Sequence, residues 1–208
     1  MKEILQQKPE LINCTAKQPP KKDDGQSTLQ VAIKSGNFTI ANYLIDCGAD
    51  LNFIETESVN EWRMPVLHDA IMATIRNSRF LTSTYRAGEK VWEIQRSQQQ
   101  FDIAFSLLKK ILELGANINC YDSYGNSSLG RAILDAKQIL PRTHYTDPTW
   151  VDNRPLNEEL KEDLTKVFNL LMNFGADINE VDKRTGKSLI DFNSQEVVAQ
   201  FLQSNKQI

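Results

Sequence analysis

The chain has 208 residues, of which 40% are hydrophobic and 25% charged, a balance typical of a folded protein with a modest core. Its formal net charge of -3 gives no support for a nucleic-acid partner, because phosphate binding depends on clustered Lys and Arg. The three cysteines are too widely spaced for a disulfide framework or a zinc site, so we expect no metal and no other cofactor.

The chain contains no targeting or membrane signal that we recognise. No apolar stretch resembles a signal peptide or approaches the roughly 20 residues that cross a bilayer. Unpaired thiols are the rule in a reducing compartment. We therefore expect a cytoplasmic protein with no membrane association.

A five-residue pattern, Gly-Ala-Asp/Asn-x-Asn, occurs at residues 48–52, 115–119 and 175–179, each time after an apolar stretch with helical spacing. A glycine at this position ends a helix easily, because it adopts the left-handed conformation without strain. Four short helical segments carry a leucine at an equivalent position, namely Leu29, Leu67, Leu129 and Leu189. This self-similarity predicts stacked helix-turn-helix units that bury a shared leucine row.

The first unit runs without gaps from Gly25 to Asn52 and resembles the ankyrin repeat family, whose unit has about 33 residues. The second unit begins with the matching run 65–70 and the third with the run 122–132. The chain is similar to short bacterial-type members of the family, with two long insertions added. The resemblance implies an all-α fold, an ankyrin-repeat solenoid of helix-turn-helix units with β-turn fingers. About three full repeats and degenerate terminal caps are expected, with a structural role for His68.

The resemblance also implies that residues 1–208 form a single domain. We place the N-terminal cap at 1–22, repeat 1 at 23–55, repeat 2 at 56–121, repeat 3 at 122–181 and the C-terminal cap at 182–208.

Two insertions separate the helices of the second and third units. From the alanine of the first helix to the glycine after the second helix there are 16, 45 and 43 positions in the three units. We place the insertions at about 76–100 and 137–160. The spacing in the first insertion predicts, in part, a backward extension of the following helix through Trp92. The second insertion contains three prolines and is predicted to be a loop that ends before a helix near Asn157. We expect the insertions to pack on each other, near Trp92 and Trp150.

No arrangement of acid, base and nucleophile is visible, so we expect no enzyme activity. The resemblance implies a non-catalytic module that binds a protein partner through its finger tips and first helices, and an immunity or inhibitor-type protein is a narrower version. Partner-binding residues at these positions are Phe53, Trp62, Arg63, Asp69, Tyr121, Ser123, Tyr124, Asn126, Arg131, Lys183 and Arg184.

Two alternatives remain open. Trp62 and Tyr121 have a simpler interpretation, in which they pack one finger against the next. The insertions also offer a surface of their own, which would form either a small-molecule pocket or a homodimer contact, although we expect a monomer. The residues of that insertion surface are Tyr85, Trp92, Tyr145 and Trp150.

Overall fold

The computed structural model describes residues 2–17, 21–141, 154–182 and 185–203. Helices dominate this part of the chain, and two short 3-10 helices lie at Pro9–Asn13 and Lys21–Asp23. The α-helices are α1 (Lys2–Gln7), α2 (Thr28–Lys34), α3 (Phe38–Asp46), α4 (Val66–Arg76), α5 (Gln98–Glu113), α6 (Ser128–Ile139), α7 (Glu158–Asn173), α8 (Leu189–Phe192) and α9 (Ala199–Leu202). None of the described helices is both long enough and apolar enough to cross a membrane.

Local sequence signals fix the helix ends. Ser27 accepts a hydrogen bond from Gln30 N at 3.2 Å, and the Gln30 side chain accepts from Ser27 N at 3.1 Å, so α2 begins with a capping box. Helices α3, α5 and α7 are each followed by a glycine with φ of 88°, 95° and 99°, at Gly48, Gly115 and Gly175. The predicted role of these glycines as helix terminators is confirmed.

The helices pack in pairs, and the pairs lie side by side. Helix α2 contacts α3, α4 contacts α5, and α6 contacts α7, while α2, α4 and α6 also contact one another in that order. The four leucines of the predicted row, Leu29, Leu67, Leu129 and Leu189, are all buried in one core. Full burial of such a side chain stabilises the fold by about 1.5–3 kcal/mol.

Four loops precede the helices α2, α4, α6 and α8, and an isolated antiparallel bridge closes each of them. We call them the first loop (residues 15–27), the second loop (54–65), the third loop (121–127) and the fourth loop (181–188). Each bridge brings the two ends of its loop together. The ends of each loop therefore have a defined position relative to the helix that follows.

The predicted fold class is wrong, because the described residues include an antiparallel β-hairpin. Strands β1 (Leu81–Arg86) and β2 (Glu89–Ile94) pair from Leu81 opposite Ile94 to Arg86 opposite Glu89. Ala87 and Gly88 form the two-residue turn with φ of 50° and 86°, the positive values that such hairpins need. The chain is thus a predominantly helical structure with a two-stranded sheet, and the predicted all-α solenoid is set aside.

The hairpin occupies the segment for which a backward extension of α5 was predicted. Helix α5 instead begins at Gln98, where Ser97 accepts from Gln100 N at 3.2 Å as its cap. The strand residues are rich in Thr, Val, Tyr, Trp and Ile, whose branched or aromatic side chains fit a pleated strand. Helical spacing within Trp92–Gln100 was therefore a misleading signal.

A buried ion pair joins the first insertion to helix α7. Arg79 Nη2 lies 2.7 Å from Asp163 Oδ1, and the Asp163 side chain is fully buried. Asp163 Oδ2 also accepts from Arg79 N at 2.8 Å, and Asn157 Nδ2 donates to Arg79 O at 2.9 Å. Within the predicted insertion bounds, the described contact between the two insertions is the bond from Asn157 to Arg79, and Trp150 lies outside the described residues. Helix α7 begins next to Asn157, as predicted.

Candidate functional site

The second and third loops are joined directly at their tips. Arg63 N donates to Ser123 Oγ at 3.0 Å, and Ser123 N donates to Arg63 O at 3.0 Å. Ser123 Oγ donates in turn to Glu61 O at 2.9 Å, and Arg63 Nη1 donates to Thr56 O at 3.2 Å. Arg63 and Ser123 therefore brace the two loops against each other.

Trp62 lies where the second loop, the third loop and helix α6 meet. Its Nε1 donates to Asp122 Oδ2 at 3.4 Å, and the Arg131 guanidinium lies 5.2 Å from the centre of its ring. Arg131 in turn donates from Nε to Asp135 Oδ2 at 2.8 Å. Burial raises the pKa of Asp135, and the hydrogen bond from Arg131 opposes that rise. Trp62 is 38% exposed, so its side chain is held in place yet open to contact.

The third loop also presents two tyrosines to solvent. Tyr121 is 50% exposed and Tyr124 is 53% exposed. The Tyr121 hydroxyl donates to the carboxylate of Glu180, and this bond raises the pKa of Tyr121. Tyr124 is fixed through its backbone, because its N–H donates to Asp122 Oδ1 at 3.0 Å. The loop that carries both rings is therefore well anchored.

A cavity of about 440 Å³ opens between the third and fourth loops, within the range of about 300–1,000 Å³ that is usual for ligand pockets. It is lined by Tyr121, Tyr124, Gly125, Asn126, Ser127, Gly130, Glu180, Val181, Asp182 and Leu189. Aromatic rings, carboxylates and aliphatic side chains thus share one opening.

Three residues of the predicted contact set point inward. Asp69 is fully buried and accepts from Gln30 Nε2 at 2.9 Å, and burial raises its pKa to about 7. Asn126 is buried and donates from Nδ2 to Asp122 Oδ2 at 2.8 Å, and Phe53 packs against the core. Burial removes Asp69 from the surface that a partner can touch, whereas Asn126 still lines the cavity.

The hairpin carries the described part of the predicted insertion surface. Tyr85 is 75% exposed and pairs across the strands with Lys90, whose Nζ lies 4.5 Å from the centre of the Trp92 ring. This places Tyr85 and Trp92 on one face of the hairpin. Four further predicted residues lie outside the described part of the chain: Tyr145, Trp150, Lys183 and Arg184.

No role was predicted from the sequence for three acidic residues and one glycine of this region. Asp122 anchors the third loop, Asp135 holds Arg131, Glu180 bonds Tyr121, and Gly130 lines the cavity. The spacing of four residues between Arg131 and Asp135 on a helix was a usable signal for an ion pair. Glu180 had no such signal, because its partner is distant in sequence.

Over residues 2–17, 21–141, 154–182 and 185–203, no three His, Cys, Asp or Glu side chains come close enough to hold a metal ion. His68 is buried, its Nε2 lies 3.2 Å from Ser128 Oγ, and desolvation lowers its pKa to about 4. It contacts neighbouring helices and has the structural position that the sequence predicted.

Comparison with known proteins supports part of the resemblance. Residues 24–53, which include α2 and α3, match the family model described as Ankyrin repeat. No curated protein matches the chain. Ankyrin repeats generally mediate protein–protein interactions, so the match favours a binding module over a catalyst. The comparison thus identifies an ankyrin repeat in residues 24–53 of this chain.

Proposed function

We propose that this protein is a non-catalytic module whose docking surface, formed by Trp62, Tyr121, Tyr124 and Arg131, binds a protein partner. The main support is that Trp62, Tyr121 and Tyr124 are 38% to 53% exposed and lie on loops held by part-buried hydrogen bonds, with the largely buried Arg131 against the Trp62 ring. Trp, Tyr and Arg are the residues that most often dominate binding energy at interfaces. Rigid presentation lowers the entropy that binding would otherwise cost.

Several finer features belong to the same proposal. The whole chain forms one domain, divided into repeats and caps as the sequence predicts, and acts as a monomer in the cytoplasm. The partner is an enzyme or toxin that the docking surface blocks, as expected for a bacterial immunity or inhibitor-type protein. Lys183 and Arg184, which lie outside the described residues, stay predicted contact residues.

A second candidate uses the hairpin as a contact between two copies of the chain. Tyr85 and Trp92 share a face with Ile94, which is 46% exposed, so that face has apolar area available for contact. Size-exclusion chromatography with light scattering decides this directly. A dimer that becomes a monomer on Tyr85→Ala supports the hairpin contact, and a monomer at all concentrations excludes it.

A matched pair of tyrosine variants distinguishes binding at the docking surface from binding at the hairpin. Wild type, Tyr124→Ala and Tyr85→Ala are immobilised, and a captured protein is purified and its affinity for each variant measured by calorimetry. We expect Tyr124→Ala to weaken binding at least about tenfold, or about 1.4 kcal/mol, and Tyr85→Ala to leave it unchanged. The reverse pattern would assign binding to the hairpin and refute the docking surface.

A further inference from the structure

A second cavity, of about 300 Å³, opens at the end of helices α2 and α4 that lies away from the loops. We call it the basic groove, because Lys34, Arg76 and Arg96 all line it and all have exposed side chains. Lys34 is the last residue of α2, Arg76 is the last residue of α4, and Arg96 lies between strand β2 and helix α5. The groove thus brings together cations from three separate segments of the described chain.

The floor of the basic groove is apolar. Ile33 and Met72 are buried, and Phe38 packs against the same core from the start of α3. Among the described residues that line the groove, none is Asp or Glu. An apolar floor with a cationic rim fits a ligand that combines an anionic group with an apolar neighbour.

The three cations have no carboxylate at the surface to neutralise them. The Arg96 side chain donates from Nε to Arg76 O at 3.2 Å, and over the described residues none of the three forms an ion pair. The helix dipole favours a cation in the last turn of a helix, which accounts for Lys34 and Arg76. It does not account for Arg96, which belongs to no helix.

The carboxyls that act on these cations lie inside the fold. Asp135 attracts Arg76, and Glu55 and Asp69 attract Lys34. All three carboxyls are buried, and none of them lines the groove. They therefore leave the outer face of the basic groove positively charged, which is complementary to an anion.

The same insertion shows which group satisfies an arginine at its base. Where the insertion meets α7, Arg79 forms a fork with one carboxylate, from Nη2 to Asp163 Oδ1 at 2.7 Å and from Nε to Asp163 Oδ2 at 3.1 Å. Where the insertion faces the turn between α2 and α3, residues 34–39 of that turn include no Asp or Glu. Arg76 and Arg96 thus have no counterpart of Asp163 among the described residues.

We propose that the basic groove binds an acidic segment of a protein partner, with an Asp or Glu carboxylate on Arg76 and Arg96 and an adjacent apolar side chain over Phe38. Guanidinium groups and carboxylates match in geometry and form strong paired hydrogen bonds. The carboxylate takes the role that Asp163 has beside Arg79. This site is separate from the docking surface, because the loops precede α2 and α4 whereas the groove lies where both helices end.

The direct test uses the peptide acetyl-Ala-Leu-Glu-Glu-Leu-Ala-amide as the probe, and the same peptide with two glutamines in place of the glutamates as its matched control. Both are titrated into the full 15N-labelled chain and followed by amide chemical shifts. We expect the acidic peptide to shift the amides of Gly36, Asn77 and Arg96, and to bind at least about fivefold tighter than the control. Equal binding of the two peptides, or shifts located elsewhere, would overturn the site.

Inorganic phosphate is titrated in a third arm, because it is an anion without an apolar part. We expect it to bind at least about fivefold more weakly than the acidic peptide, since it cannot use the apolar floor. Phosphate that shifts the groove amides while the acidic peptide does not would refute the assignment to an acidic protein segment.

Three variants test the location. Arg76→Gln and Arg96→Gln each remove a cation and should weaken the acidic peptide by about threefold or more. Arg86→Gln is the matched control, since this exposed arginine lies next to the hairpin turn and does not line the groove, and it should have no effect. If Arg96→Gln loosens α4 by removing its bond to Arg76 O, the Arg76→Gln titration still decides. Unchanged affinity in Arg76→Gln would refute the groove.

The failure of the basic groove and the failure of the docking surface give different results. Tyr124→Ala should leave the affinity for the acidic peptide unchanged, and a loss there would assign the peptide to the docking surface and refute the groove. If the peptide does not bind but Tyr124→Ala weakens the purified partner, the docking surface stands and the groove is refuted. If Arg76→Gln weakens peptide and partner alike while Tyr124→Ala weakens neither, the groove is supported and the docking surface is refuted.

Discussion

The contacts between neighbouring helix pairs, which we call joints, differ between the two ends of the leucine row in the side chains that fill them. Between α2, α4 and α6, buried polar side chains cross from one helix pair to the next, through Gln30 and His68. Between α6 and α8, Gly130 leaves an opening lined by Leu189. The same leucine pattern thus supports a closed packing at one end and an accessible surface at the other. The proposed docking surface therefore lies away from the joints that buried polar side chains close.

The largest effect should come from truncating the leucine of a closed joint. Leu67→Ala removes a fully packed side chain and should lower the free energy of unfolding by about 3 kcal/mol or more. Leu189→Ala borders the cavity and should cost only about 1–2 kcal/mol, since fewer contacts are lost there. Urea denaturation followed by circular dichroism measures both. Equal losses would mean that the last joint is packed as tightly as the others.

A smaller effect concerns pH, because the two closed joints bury a carboxyl and an imidazole, those of Asp69 and His68. The folded-state pKa of Asp69 is raised to about 7, so its contribution to stability is complete below about pH 4 and is lost as pH rises towards 7. The pKa of His68 is lowered to about 4, so its contribution is complete above about pH 6.5 and is lost as pH falls.

Asp69→Asn should isolate the histidine contribution. Between about pH 4.5 and 6.5, the slope of the unfolding free energy against pH should become more positive by about 1 kcal/mol per pH unit than in wild type. Urea titrations at several pH values measure the slope, and Glu57→Gln is the exposed control. An unchanged slope in Asp69→Asn would show that this carboxyl does not titrate abnormally.

The smallest effect is a stabilisation at the open joint. Gly130→Ala adds a methyl group that meets its neighbours at ordinary contact distance and reduces the freedom of the unfolded chain. It should raise the free energy of unfolding by about 0.5–1 kcal/mol. Ala132→Gly on the same helix should have the opposite sign. A destabilising Gly130→Ala would mean that the opening has less room than the structure indicates.

Much of the helical part could be predicted from the sequence, because its signals are local and repeated. A glycine after each second helix, a serine cap and a leucine at fixed spacing each act within a few residues. The hairpin was missed because residues near Trp92 also fit a helical spacing, and the Ala-Gly turn is a weaker signal than Asn-Gly. The strand-favouring composition on both sides of Ala87 was the better evidence.

The candidate surface was predictable only in part. Exposure of Tyr121 and Tyr124 follows from their place in a loop. The burial of Asp69 does not, because it depends on Gln30, which lies 39 positions earlier in the sequence. The cavity could not be predicted from the sequence either, because Gly130 contributes to it by having no side chain to fill the space.

The position of Trp62 gives the protein a natural optical reporter. Its indole contacts Asp122 and Arg131 and is still partly open to water. Any ligand that displaces the Arg131 guanidinium or excludes water from the indole ring will change the wavelength and yield of the Trp62 fluorescence. Replacing Trp92 and Trp150 with phenylalanine would leave Trp62 as the only indole, and docking could then be followed in real time without an attached dye.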